Sequence, residues 1–288
     1  MNDQKKVLVF GATGMLGHTL FRYFSEKNIY NTFGTIRSNN QFEFFSKKLG
    51  KKLITGIDIE NLDLVKKVLN NFNPDIVVNC VGLIKQLPVS RDPIRMISIN
   101  SLFPNYLANL CSAINSRLIH LSTDCVFSGH KGMYTEKDFP DGNDLYAHSK
   151  YLGEVNSPNT VNIRTSLIGH EIKNSLSLLE WFLAQKEEVR GYSGAIFSGL
   201  PTVEMSRVIH DYVIPYDKLQ GICNISAEPI SKYDLLKLIA KVYNKSINII
   251  PDDIVKANYS LDSNSFRLST GYCPPKWDEL IKAMRSYG

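Results

Sequence analysis

The chain has 288 residues, of which 43% are hydrophobic, enough to bury one large core or two smaller ones. No apolar run reaches the roughly 18 residues that mark a membrane span, and Met1 to Lys6 lead into the first strand without the pattern of a signal peptide, so no membrane partner is expected. A net charge of +5, with basic residues dispersed among acidic ones, argues against a dedicated nucleic-acid surface and leaves room for a small polyanionic ligand. Lys6-Val7-Leu8-Val9-Phe10 then reads as a buried strand, followed by Gly11-Ala12-Thr13-Gly14-Met15-Leu16-Gly17 and a helical pattern through Leu16, Leu20, Phe21 and Phe24. Strand, glycine-rich turn and helix together make a phosphate cradle. Gly11 allows the tight turn, Gly14 lets backbone approach a pyrophosphate, Gly17 lets helix pack close to strand, and the helix N-terminus attracts the anion. The spacing is G-x-x-G-x-x-G, and a glycine triplet alone also fits an ordinary turn. Its strand–turn–helix context favours a dinucleotide site, with contacts expected at Gly11, Thr13, Gly14, Met15, Leu16 and Gly17.

Tyr30 to Ile36 reads as a second strand ending at Arg37 and Ser38. An acidic residue there would bond a ribose 2′-hydroxyl, whereas an arginine accommodates a 2′-phosphate, so Arg37 with Ser38 favours NADP(H) over NAD(H). Leu53 to Ile57 is a third strand, with Asp58 and Ile59 after it. Asn61 to Phe72 is helical, and Asp75 to Gly82 is a fourth strand containing Cys80 and Val81. Strands alternating with helices at this spacing indicate right-handed crossovers and a doubly wound parallel α/β sheet of the Rossmann type. Ligands in such sheets lie at the carboxyl ends of strands, which places Gly11, Arg37, Asp58 and Gly82 on one edge.

Ile99 to Ile114 carries an apolar stripe at helical spacing, with Pro104 inside it. Proline in a helix interior costs about 3 kcal/mol and frees the carbonyl of residue i−4, here Asn100. Either the helix kinks there or it starts near Phe103; the pattern alone leaves both open. Leu118 to Ser122 is a fifth strand ending in Thr123 and Asp124. After a turn-rich loop, Tyr146-Ala147-His148-Ser149-Lys150 opens a helix, with Tyr146 and Lys150 on one face. The Lys150 ammonium would favour phenolate and lower the tyrosine pKa from its usual value near 10, making it a general acid or base. Val161 to Arg164 and Gly221 to Ile225 complete the sheet. Leu176 to Lys186 reads as a helix whose Trp181 is expected to pack, with sugar stacking as the alternative. Ser231 to Tyr243 is a further helix capped by Ser231. His120, His170 and His210 have no partner at ligand spacing, so no metal is assigned. Cys80, Cys111, Cys125, Cys223 and Cys273 form no C-x-x-C pair, consistent with free thiols in a reducing, cytoplasmic setting.

Gly11-x-x-Gly14-x-x-Gly17, Asn79 to Gly82, Asn100, Ser122-Thr123-Asp124-x-Val126-Phe127 and Tyr146-x-x-x-Lys150 occur in an order and spacing that resemble the extended short-chain dehydrogenases/reductases. Leu121 to Gly129, Tyr134-x-Glu136-x-Asp138, Ile163 to Ser166, Gly199 to Thr202, Gly221 to Ser226 and Ser260 to Asp262 resemble the dTDP-4-dehydrorhamnose reductase branch, over nearly the whole chain. Gly82 to Pro88 and Gly169-His170-Glu171 depart from the rhamnose enzyme. The resemblance implies a Rossmann domain over about residues 1–165 with a returning segment near 195–227. A smaller C-terminal α/β substrate domain would take 166–194 and 228–288. It implies NADPH-dependent reduction of a nucleotide-activated 4-keto-6-deoxy sugar at C4, in surface-polysaccharide or O-antigen precursor synthesis. The sugar is dTDP-linked or a UDP-linked N-acetylated one. Tyr146 would protonate the ketone oxygen, Thr123 would hydrogen-bond it, Lys150 would tune Tyr146 and hold the nicotinamide ribose, and Asn100 would anchor a proton relay through its freed carbonyl. Lys85, Asp124, Ser166 and Trp181 are the implied substrate residues, and a homodimer is the assembly considered. A nucleotide-sugar epimerase and a non-catalytic regulatory subunit, like that of methionine adenosyltransferase, are the alternatives.

Overall fold

The computed structural model describes residues 4–173 and 175–288. Seven strands form the central sheet: β1 (Lys6–Phe10), β2 (Asn31–Thr35), β3 (Leu53–Ile54), β4 (Ile76–Asn79), β5 (Arg117–Leu121), β6 (Thr160–Arg164) and β7 (Gly221–Asn224). Their order is β7-β6-β5-β4-β1-β2-β3, and each pairing from β6 through β3 is parallel. The strand order reverses between β1 and β4, the switch point at which doubly wound sheets open a crevice for ligands. Strands β1 and β4 read as near-continuous apolar runs because helices cover both sheet faces. The helices are α1 (Met15–Lys27), α2 (Leu62–Phe72), α3 (Phe103–Ala113) and α4 (Leu145–Leu152). Leu8, Phe10, Val77 and Leu118 from the sheet pack with Val65, Leu69, Phe103, Leu107 and Cys111 from α2 and α3.

Pro104 neither breaks this helix nor marks its start. The chain is helical from Pro93, passes through a π turn over Ser98–Leu102, and continues as α3 with Pro104 in its second position. The widened turn absorbs the missing N–H and the ring's bulk within one helical run.

The chain forms two compact units. One takes in the residues through Ser122, then Asp144–Ile163 and Asp217–Ile222; the other comprises Thr123–Asn143, Arg164–Tyr216 and Cys223–Gly288. The stretch that returns to the first unit is thus shorter than the 195–227 expected, and the loop after Thr123 groups with the second. That second unit has small sheets, Glu188–Tyr192 with Asn248–Asp252, and Ala195–Phe197 with Ile230–Ser231 and Ala257–Asn258. Its core joins Ile168, Leu179, Phe182, Leu236, Ile239 and Ile281. Ser231 caps the helix Lys232–Tyr243 by accepting the Asp234 N–H. Among the described residues no helix is long and apolar enough to cross a membrane, and no cluster of His, Cys, Asp or Glu is arranged to hold a metal.

Candidate active site

The glycine turn is built by close approach. Gly11 has φ +81°, and a Cβ on Gly17 would stand 2.0 Å from the Gly11 carbonyl oxygen, so α1 meets β1 only through a glycine. The Gly14 N–H donates to the Gly11 carbonyl at 3.0 Å, and Ala12 N–H to Thr35 on β2 at 3.1 Å. Gly14 is the N-cap of α1 with no side-chain cap, and the first turn of α1 holds no acidic residue. The positive end of the helix dipole is therefore not neutralised by its own first turn, an arrangement suited to a bound anion. Thr13 and Met15 are part-exposed on this turn, while Leu16 is buried beneath it.

The other expected cofactor residues fall along the sheet's carboxyl edge. Arg37 is exposed just past β2, its N–H donating to Gln41 Oε1 at 3.0 Å, and the Ser38 hydroxyl donates to Asn40. Asp58 accepts the Glu60 N–H, with Ile59 buried beside it. Val81 packs on Gly11, Cys80 is a thiol that burial pushes up to about 12, and Gly82 faces both Asn100 and the Lys150 ammonium.

Lys150 is 4% exposed, one helical turn from Tyr146 on α4, and donates to the Leu121 carbonyl at 2.7 Å at the end of β5. Burial lowers its pKa to about 8, with Glu154 pulling the other way. Asp144 caps α4 through the Ala147 N–H at 2.7 Å. Asn100 braces this helix from the side. Its carboxamide accepts the Leu83 N–H at 2.8 Å, and donates to the Leu83 carbonyl at 3.0 Å and to Ser149 Oγ at 3.1 Å. The Asn100 carbonyl, expected to be freed for a proton relay, lies beside Gly153, where a Cβ would come within 1.9 Å of it.

Two polar pairs behind Lys150 escaped the sequence reading. Asn79 Oδ1 accepts the Val81 N–H, so its Nδ2 donates to His120 Nδ1 at 3.1 Å, leaving the ring proton on His120 Nε2. Burial first, and Lys150 second, hold the His120 pKa well below its usual value. Ser122 Oγ donates to Glu154 Oε1 at 2.8 Å. Both pairs had a signal. Asn79 and His120 are polar residues within buried stretches of their strands, directly paired in the sheet register, and Glu154 continues the i, i+4 spacing of Tyr146 and Lys150.

In the second unit, Thr123 Oγ1 accepts the Cys125 N–H at 3.1 Å and donates to Asp124 Oδ1 at 3.2 Å, so its proton is directed to Asp124. Asp124 also bonds to Ser166, and burial raises its pKa to about 6 against those hydrogen bonds and the Lys232 charge. Thr123, Asp124 and Ser166 are therefore brought together. Trp181 is not part of that group. It lies on the helix Leu178–Ala184, 39% exposed rather than packed, because Leu179 and Phe182 form the buried face. Lys85, expected near the substrate, is bound within the first unit to Asp144.

Topology and the Tyr146–Lys150 pair are those of the extended short-chain dehydrogenases/reductases. The chain belongs to the RmlD substrate binding domain family, which matches residues 5–285. It is 25% identical over 307 residues to the dTDP-4-dehydrorhamnose reductase of Aggregatibacter actinomycetemcomitans, covering 98% of this chain and 99% of the relative. To methionine adenosyltransferase 2 subunit beta of Danio rerio it is 27% identical over 261 residues, covering 86% and 77% respectively. The crystal structure of dTDP-4-dehydrorhamnose reductase from Bacillus anthracis in complex with NADP shares the fold, with a TM-score of 0.82 at 22% identity over the whole of both chains.

Proposed function

We propose that the chain is an NAD(P)-dependent oxidoreductase that reduces the C4 ketone of a nucleotide-activated 4-keto-6-deoxy sugar, with NADPH preferred over NADH. The observation that carries this reading is Lys150, a buried ammonium at about pKa 8, fixed on the Leu121 carbonyl one helical turn from Tyr146. Burying a lysine is costly, and a module that only bound a partner would gain nothing from it. The uncapped, acid-free start of α1 and the bare contact between Gly17 and Gly11 suit a dinucleotide pyrophosphate. Arg37 and Ser38 would meet the 2′-phosphate, Asp58 and Ile59 the adenosine side, Cys80 to Gly82 the middle of the cofactor, and Lys150 the nicotinamide ribose. NADPH, when bound, supplies the hydride.

Tyr146 gives its phenolic proton to the ketone oxygen as the carbon is reduced, leaving an alcohol. Lys150 stabilises the resulting phenolate, general acid catalysis worth about a hundred- to ten-thousand-fold. Thr123 turns its hydroxyl from Asp124 to the ketone oxygen, and Asp124 and Ser166 hold the sugar. The relatives' names support dTDP-4-dehydrorhamnose or a related nucleotide sugar, dTDP- or UDP-linked, made for surface polysaccharide. NADPH oxidation against a panel of nucleotide 4-keto sugars tests the reading: one sugar should consume NADPH mole for mole. An epimerase would interconvert sugars with no net NADPH loss, and no turnover with any sugar, alongside stable capture of a methionine adenosyltransferase, would replace the reductase with the regulatory subunit.

A further inference from the structure

The loop after β4 carries a second ammonium to the tyrosine. Lys85 Nζ lies 2.6 Å from Asp144 Oδ2 and 5.4 Å from the centre of the Tyr146 ring. Its loop is not loose: Asn100 holds Leu83 by both backbone groups and ties it to Ser149 on α4. Asp144, one residue before α4, is also the helix cap, and its carboxyl is kept below the usual range by Lys85 and by the Ala147 and Tyr146 N–H groups, against the effect of burial. Loop and helix are thus fastened twice, and the second fastening places an opposed pair of charges at the tyrosine.

We propose that Lys85 is a positioning residue for Tyr146, and that the Lys85–Asp144 pair sets how readily the phenol gives up its proton. The proposal rests on the reading of Tyr146 as proton donor. Lys85 from the β4 loop and its partner Asp144 at the helix start then bear on the ring within the first unit, with Lys150 one helical turn away on the same helix. Glu154 acts on Lys150 behind it, and Lys150 in turn on His120. A cation stabilises phenolate and an anion opposes it, so removing Lys85 and removing Asp144 must move Tyr146 in opposite directions. A pair that only packed the loop would not discriminate by sign.

The test needs neither sugar nor cofactor. Tyrosine labelled at Cζ is titrated by NMR in the full chain, and the Tyr146 resonance is assigned by its loss in Tyr146→Phe. Lys85→Met should raise the midpoint of Tyr146 by about half a pH unit, the solvent-screened effect of one charge at this range. Asp144→Asn, which keeps a competent helix cap, should lower it by a similar amount, and Lys85→Arg should restore the wild-type midpoint. Midpoints that stay put in both charge-removing variants, or move the same way, overturn the proposal. If the midpoints move as stated while no keto sugar is reduced, the reductase reading fails and the role of the pair stands.

Discussion

Lysine 150 gives the sharpest test, because the structure assigns it an energetic cost. Its pKa falls from 10.5 to about 8 on burial, and such a fall means the charged form destabilises the native state by about 3 kcal/mol. Replacing it by methionine removes that cost, keeps a side chain of similar length, and gives up the bond to the Leu121 carbonyl, worth about 1 kcal/mol. Lys150→Met should therefore be more stable than wild type by about 2 kcal/mol near pH 7, raising Tm by about 5 °C for a unit of this size. The pH dependence has a definite sign. Below about pH 8 the lysine is charged in both states, and the native state carries the full cost. Between about pH 8 and 10.5 the unfolded chain binds the extra proton, so wild-type stability rises with pH and the advantage of the methionine variant drains away. Thermal melts of both proteins from about pH 7 to 10, followed by circular dichroism, read this difference directly, and the variant should be inactive throughout. A methionine variant that melts below wild type at pH 7, or a Tm difference that does not change with pH, would refute the reasoning.

Gly17→Ala drives a methyl into the backbone of Gly11 and should cost about 3 kcal/mol or more, together with nucleotide binding. Gly14→Ala meets only ordinary contact at 3.4 Å and should melt within about 1 kcal/mol of wild type; equal losses in the two variants would count against the close approach as the reason for glycine. Tyr146→Phe should lower kcat by about a hundred-fold or more while NADPH still binds, as followed by its fluorescence. Unchanged turnover in that variant would sink the proposed acid. Arg37→Ala should weaken NADPH by about ten- to a hundred-fold and leave NADH nearly untouched in the same titration, the loss of one charge-assisted phosphate contact.

What the sequence by itself determined was local. The glycine turn from Gly11 to Gly17 and the Tyr146–Lys150 register each lie within one loop or one helical turn, where spacing alone settles which groups share a face. Alternating strand and helix patterns, β1 and β4 above all, were enough for the doubly wound sheet. Tertiary structure decided everything that depends on what lies beside a residue from elsewhere in the chain. Pattern could not choose between a kink and a late start around Pro104, because a π turn satisfies the same apolar stripe. Trp181 belongs to an apolar run yet faces outward, since only one face of its helix finds a core. Asn79 meets His120 only because parallel strands align them, and Lys150 reaches Leu121 only because α4 lies against the end of β5. Burial, and with it the lowered affinity of Lys150 for its proton, is a property of those surroundings, and no stretch of sequence contains its own surroundings.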